Sequence, residues 1–148
     1  MSLSNTVKKN FKRSFDLYRE LVESLDESQL SARLPKLPSN TIGEQIWCVV
    51  GARESYSRAI HADAWSGFSC SLTSDQIGVK AEVLAALRRS EEIVLTALAA
   101  IDEYTATQSE LAIDLLEHEA AHHGQLIRYL YGLRIEIPQS WKSRYALH

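Results

Sequence analysis

Two cysteines and three prolines are all that the 148 residues hold of either type. The thiols Cys48 and Cys70 are too few for a disulfide framework, so a reducing, cytoplasmic setting is expected. No run approaches eighteen apolar residues, and the opening Met1-Ser2-Leu3-Ser4-Asn5 has no apolar signal core, so neither a membrane span nor a secretory leader is expected. Basic charge is not in excess either. The net charge of −3 leaves no basic stripe to neutralise a phosphate backbone, which argues against a nucleic-acid partner. Lys8, Lys9, Lys12 and Arg13 do cluster, and on an amphipathic first helix they read as a solvated face. Internal repeats, low-complexity tracts and the period-two alternation of strands are all missing.

What is present is helical periodicity. With 45% hydrophobic and 24% charged residues, the chain can bury the core of one domain, residues 1–148, without staples. Phe11, Phe15, Tyr18, Val22 and Leu25 recur at steps of four and three, which predicts a first helix over about 5–25. Pro35 and Pro38 make the following link extended. Thr41-Ile42-Gly43-Glu44 has the form of a capping box, so a second helix is expected from about 40 or 41 to His61. A second long link, 62–72, carries Trp65 and Phe68. The third helix is expected after Thr73, with Gly78 near its start. The fourth follows Thr105-Ala106-Thr107 and runs to Tyr131, with Gly132 as its C-terminal cap. The tail, with Pro138 and Trp141, has room for one short turn. Four helices of about twenty residues with long links between the first and second and between the second and third predict an all-α, four-helix bundle.

The fourth helix carries the most pointed chemistry. His118, His122 and Gln125 fall at i, i+4 and i+7 and share a face with Leu115, Leu126 and Leu130. Two inward imidazoles in an apolar bundle must be hydrogen-bonded or bound to metal. The spacing suits either two satisfied core histidines or two ligands of one ion on a rigid rod. His118-Glu119-Ala120-Ala121-His122 also fits the zinc-peptidase string H-E-x-x-H, with Glu119 as general base. That reading is a remote alternative: Gln125 and Arg128 stand where the extended motif wants glycine and histidine, and no strand-like segment follows.

The segment His118-x-x-x-His122-His123-Gly124-Gln125-Leu126, followed by Tyr129-Leu130, Pro138 and Trp141, resembles the last core helix of the DinB/YfiT-like superfamily. Residues Thr41 to Tyr56 resemble that superfamily's second helix. The resemblance implies an up-down-down-up bundle with a divalent metal held by three histidines, one from the second helix and two from the fourth. The fourth-helix pair corresponds to His118 and His122. The second-helix histidine corresponds to Cys48, a departure that either keeps the site in a form favouring zinc over nickel or leaves a decayed site. Cys48 is then a thiolate ligand or a small buried apolar residue. Gln125, His123 and Glu44 are candidate residues for orienting ligands, although Glu44 also suits a helix cap and His123, about 100° round the helix from His122, also suits the surface.

Two functions follow as expectations. In one, the chain is a metal- and thiol-dependent transferase or isomerase, the ion activating a low-molecular-weight thiol at an open position. In the other, it is a non-enzymatic small-ligand-binding or dimerisation bundle. A homodimer is implied by the resemblance, with Trp65, Phe68 and Trp141 as interface anchors or as caps over the bundle end.

Overall fold

The computed structural model describes residues 2–148, and these form an all-α structure with no strand among them. Five helices follow in order: α1 (Leu3–Ser24), α2 (Ile42–Ala62), α3 (Lys80–Ala99), α4 (Ala106–Gly132) and α5 (Gln139–Tyr145). A 3₁₀ turn, Glu27–Ser31, lies in the first link. Among the described residues, no helix is long and apolar enough to cross a membrane.

The helix starts follow the local signals closely. Ser2 caps α1 by accepting from the Asn5 N–H. Thr41 and Glu44 close the expected capping box on α2, and Thr105 and Gln108 close another on α4. Each box satisfies two orphan backbone donors. The third helix differs from expectation. It starts at Lys80, because the Thr73 N–H bonds to the Gln76 side chain within a separate turn that ends at Gly78. Glu27 Oε2 accepts from the Lys80 backbone N–H, and Lys80 Nζ reaches the carbonyls of Glu23 and Leu25, so the start of α3 is tied to the end of α1.

Gly132 is likewise a correction. It is the last residue of α4 rather than its cap, and the left-handed residue is Arg134, with φ 55°. Glycine fits at 132 because a Cβ there would stand 2.7 Å from Leu34 Cδ2. The tail does form its short turn, α5, and Trp141 on it is fully buried with its indole N–H on the Leu17 carbonyl at 2.8 Å. Trp141 therefore caps the core, whereas Phe68 and Trp65 are about half exposed against Trp47 and Tyr56.

Helix α2 packs against both α3 and α4, and α1 packs against the same two. The apolar interior falls into two clusters. One surrounds Tyr18, Leu21, Ile46, Val50, Leu87 and Leu126; the other surrounds Phe11, Phe15, Ile60, Val94 and Leu115. Between them each long helix contributes one buried polar residue to a common layer. The Arg53 guanidinium donates from Nε to Glu119 Oε1 at 2.6 Å and from Nη2 to Oε2 at 3.1 Å. It also donates to Ser90 Oγ at 3.1 Å and lies 4.5 Å from the Phe15 ring centroid. Ser14 donates to the same Glu119 carboxylate. The layer is internally satisfied, which is what makes a fully buried ion pair tolerable.

Candidate metal centre

Cys48 and Gln45, one turn apart on α2, meet His118 and His122, one turn apart on α4. The buried stripe of Leu115, Leu126 and Leu130 turns the histidine face of α4 inward, as its spacing predicts. His122 is buried, His118 and Cys48 half-buried. The two imidazole centroids are 4.5 Å apart at an interplanar angle of 54°.

Cys48 Sγ lies 3.8 Å from His118 Nε2. One donor atom from each of Cys48, His118 and His122 lies within 4.8 Å of the other two. Tetrahedral zinc ligands with bonds of about 2.0–2.3 Å stand roughly 3.6 Å apart, so the group needs to contract by only about 1 Å to share an ion.

The amide orientations of Asn40 and Gln45 select the His122 tautomer. The Tyr129 O–H is shared between two acceptors, the Asn40 carbonyl oxygen at 2.7 Å and Asn40 Oδ1. Gln45 Nε2 donates to that same Asn40 Oδ1 at 2.9 Å, which leaves Gln45 Oε1 facing His122 Nδ1 at 2.5 Å. An amide oxygen only accepts, so Nδ1 carries the proton and Nε2 keeps its lone pair. A carbonyl oxygen behind the far ring nitrogen is the usual support of a metal-bound histidine.

His118 is different. Its buried Nδ1 has no hydrogen-bond partner, and its Nε2 has only the long contact to the Cys48 sulfur. A histidine kept in a core as an ordinary polar residue should have both nitrogens satisfied. His123 meets that standard, between Ser14 Oγ at 3.0 Å and the Tyr145 hydroxyl at 2.6 Å. His118 does not.

The electrostatics favour ligation by the imidazoles and oppose it at the thiol. Burial lowers the pKa of His118, with the Glu119 charge a smaller opposing influence. Burial, and then the neighbouring His118, bring His122 down to about 4. Both rings are therefore neutral near pH 7. Burial pushes the Cys48 thiol up, so an incoming cation must expel its proton.

No protein-family model matches this chain, and no curated protein matches it. The functional reading therefore stands on the side chains themselves.

Of the expected site residues, the fold brings Cys48, His118 and His122 together and leaves three others apart. Gln125, expected to orient a ligand, shares their helix face but is exposed, and it is Gln45 that hydrogen-bonds His122. Glu44 closes the α2 capping box and pairs with Arg33 at 3.4 Å. His123 points away from the pair, but into the interior: it is 3% exposed, because α1 and α5 cover that side of α4. Glu119, the would-be base of the peptidase string, is fully buried in the Arg53 layer. Burial raises its pKa, but the charge and hydrogen bonds of Arg53 and the Ser14 bond outweigh that and hold it below the usual carboxylate range. Cys70 hydrogen-bonds the Trp47 carbonyl, and burial pushes its thiol to about 11.

Gln45 went unseen in the sequence. Its signal was its place three residues before Cys48, on one face of α2. The pairing of Arg53 with Glu119 left no such mark, since their 66-residue separation carries no periodicity.

Proposed function

We propose that the chain is a divalent-metal-binding protein, a DinB-like four-helix bundle of up-down-down-up type, that holds zinc through Cys48 Sγ, His118 and His122. The observation that carries this reading is the convergence of Cys48, His118 and His122, one donor atom from each within 4.8 Å of the other two, with the far nitrogen of His122 held by Gln45. Three protein ligands leave the fourth position of a tetrahedral ion open, as catalytic rather than structural sites do. A thiolate among the donors favours zinc over nickel.

When bound there, the ion would supply Lewis acidity at that open position, enough to take up a low-molecular-weight thiol as its thiolate. The residues of the chain orient and desolvate. Gln45 holds His122, and Cys48 would contribute the negative charge. That charge also tempers the ion's acidity, so the transferase or isomerase activity proposed for this site is modest. Neither Glu44 nor Glu119 is free to act as a base, since Glu44 caps α2 and Glu119 belongs to the Arg53 layer. The same commitment of Glu119 counts against the peptidase alternative. A homodimer in the cytoplasm is part of the proposal.

The test is elemental analysis of protein purified without chelator, run beside a thiol-transfer screen on the same sample. One zinc per chain is expected, lost in His118→Ala and His122→Ala. Cys48→Ala should weaken zinc by orders of magnitude and Cys48→His should retain it. Metal-free protein that also rejects zinc and nickel in titration overturns the proposal. Binding that appears only in Cys48→His would identify a decayed site in a non-enzymatic bundle.

A further inference from the structure

The face of α4 that carries His123, away from the Cys48 site, borders a cavity of about 170 Å³ between α1, α4 and α5. Asn10, Arg13 and Ser14 line it from α1, His123 from α4, and Arg144 and Tyr145 from α5. Its floor is polar but spoken for. Ser14 donates to Glu119, His123 sits between Ser14 and Tyr145, and the Glu119 charge is neutralised by the two hydrogen bonds from Arg53.

The walls are not spoken for. Arg13 and Arg144 are both exposed, and neither has a carboxylate within 4.0 Å among the described residues. Arg144 lies 5.2 Å from the Tyr145 ring centroid; burial raises the Tyr145 phenol pKa, and the Arg144 and Arg13 charges oppose that rise without reversing it. The two arginines come from helices more than a hundred residues apart, so their convergence is a product of the fold and not of a local charge run. An adjoining open groove of about 530 Å³ shares Arg13, Leu17 and Arg144 and adds Lys9, Lys12, Asp16 and Glu20. Asp16 is already taken by Arg19, so cations dominate the mouth. A concave surface with low-dielectric walls concentrates such a field, and guanidinium forks match oxyanion geometry.

We infer that this cavity is a phosphoryl-binding site, with Arg13 and Arg144 as the paired anion ligands and Asn10 as a neutral donor. The groove beside it accommodates the organic part of a phosphomonoester. This differs from the solvated-face reading of Lys8 to Arg13, because only Arg13 of that cluster turns into the cavity; Lys9 and Lys12 line just the groove. It is independent of metal binding, which lies on the other face of α4.

Trp141 reports on the site. Its ring stands 5.2 Å from His123 and 6.3 Å from Tyr145, centroid to centroid. Titrating the full chain at low ionic strength with inorganic phosphate, and separately with glycerol phosphate, should give saturable changes in tryptophan emission, with a dissociation constant below about 1 mM for the tighter probe. Arg13→Gln and Arg144→Gln, both at exposed positions, should each weaken binding at least about tenfold, while Lys9→Gln/Lys12→Gln stays within about threefold. Circular dichroism melts check that the variants remain folded. Tighter binding of glycerol phosphate supports the groove as the organic subsite; equal affinities overturn that part and leave a phosphate site alone. Four results overturn the whole inference: no saturation by either probe, saturation only far above 1 mM, equal losses in the lysine and arginine variants, or binding lost in His118→Ala/His122→Ala. The last would assign the anion to the metal instead.

Discussion

Converting Glu119 to Gln tests the polar layer that divides the core. The substitution keeps the shape and an oxygen that can accept from Ser14, but it removes the charge that balances Arg53. Arg53 is fully buried, so its guanidinium would stay charged in a medium of low dielectric. Breaking a buried pair by removing one partner destabilises by about 3–5 kcal/mol. The lower end applies here, because Arg53 retains Ser90 Oγ at 3.1 Å, the Leu87 carbonyl at 3.4 Å and the Phe15 face. We therefore expect a loss of about 3 kcal/mol. At a urea m-value of about 2 kcal/mol/M, this moves the unfolding midpoint down by about 1.5 M. The companion Arg53→Met, Glu119→Gln removes both charges and should recover much of the loss, with a coupling of about 2 kcal/mol between the sites. Urea unfolding followed by far-UV circular dichroism at pH 7, with chelator present so that metal linkage does not contribute, measures both. A single-variant loss below about 1 kcal/mol, or strict additivity in the double variant, would refute the claim that the pair is an interdependent unit of the core.

Gln45→Leu should lower zinc affinity by about 10–100-fold without removing a ligand, because the His122 ring loses the acceptor that orients it; competition with a chromophoric chelator measures this, and unchanged affinity would contradict it. A Cβ on Gly43 would stand 2.4 Å from the Ile77 carbonyl oxygen, whereas one on Gly132 meets only the end of the Leu34 side chain. Gly43→Ala should accordingly destabilise by about 1–3 kcal/mol and Gly132→Ala by much less, as judged by thermal melts, and equal effects would count against the close backbone contact. Acid should weaken the fold from about pH 6.5 downward. His122 and His123 are both lowered to about 4 in the folded chain, by burial first in each case. The Glu119 carboxyl is lowered as well, because the charge and hydrogen bonds of Arg53 outweigh its burial. In all three the unfolded chain binds more protons than the folded one, so stability is full above the unfolded pKa values and drains as pH falls through the folded ones. A urea midpoint that stays flat or rises between pH 7 and 5 would contradict this sign.

Much of the helical plan was legible because its causes are local. The stripe from Phe11 to Leu25 and the Thr41–Glu44 capping box rest on neighbours within one or two turns, and they reappear in α1 and α2. The third helix shows the limit of such signals. Thr73 and Gln76 do bond as a cap, but Gly78 ends that turn, and α3 waits for Lys80, which Glu27 holds from across the fold. His118 and His122 were readable as a pair because an i, i+4 spacing is a geometric statement about one helix.

The roles of the residues around that pair were decided by packing. Nothing local says that Gln45 rather than Gln125 reaches His122, since both sit on the correct face of their own helices. The choice came from how α2 lies against α4. Nor does a charge in the middle of α2 announce a partner on α4; only the fold brings Arg53 and Glu119 within hydrogen-bond distance and closes both off from water. His123, which also suited a surface position, is buried because α5, a short turn in the tail, folds back over it. The sequence by itself determined that the chain is helical, the stripe of α1, the Thr41–Glu44 cap of α2 and the inward histidine pair, all set by contacts a few residues apart. The tertiary structure decided which side chains complete the candidate metal centre, which charges are buried together and which arginines share a cavity. Those depend on contacts between residues far apart in the chain, which leave no periodic trace along it.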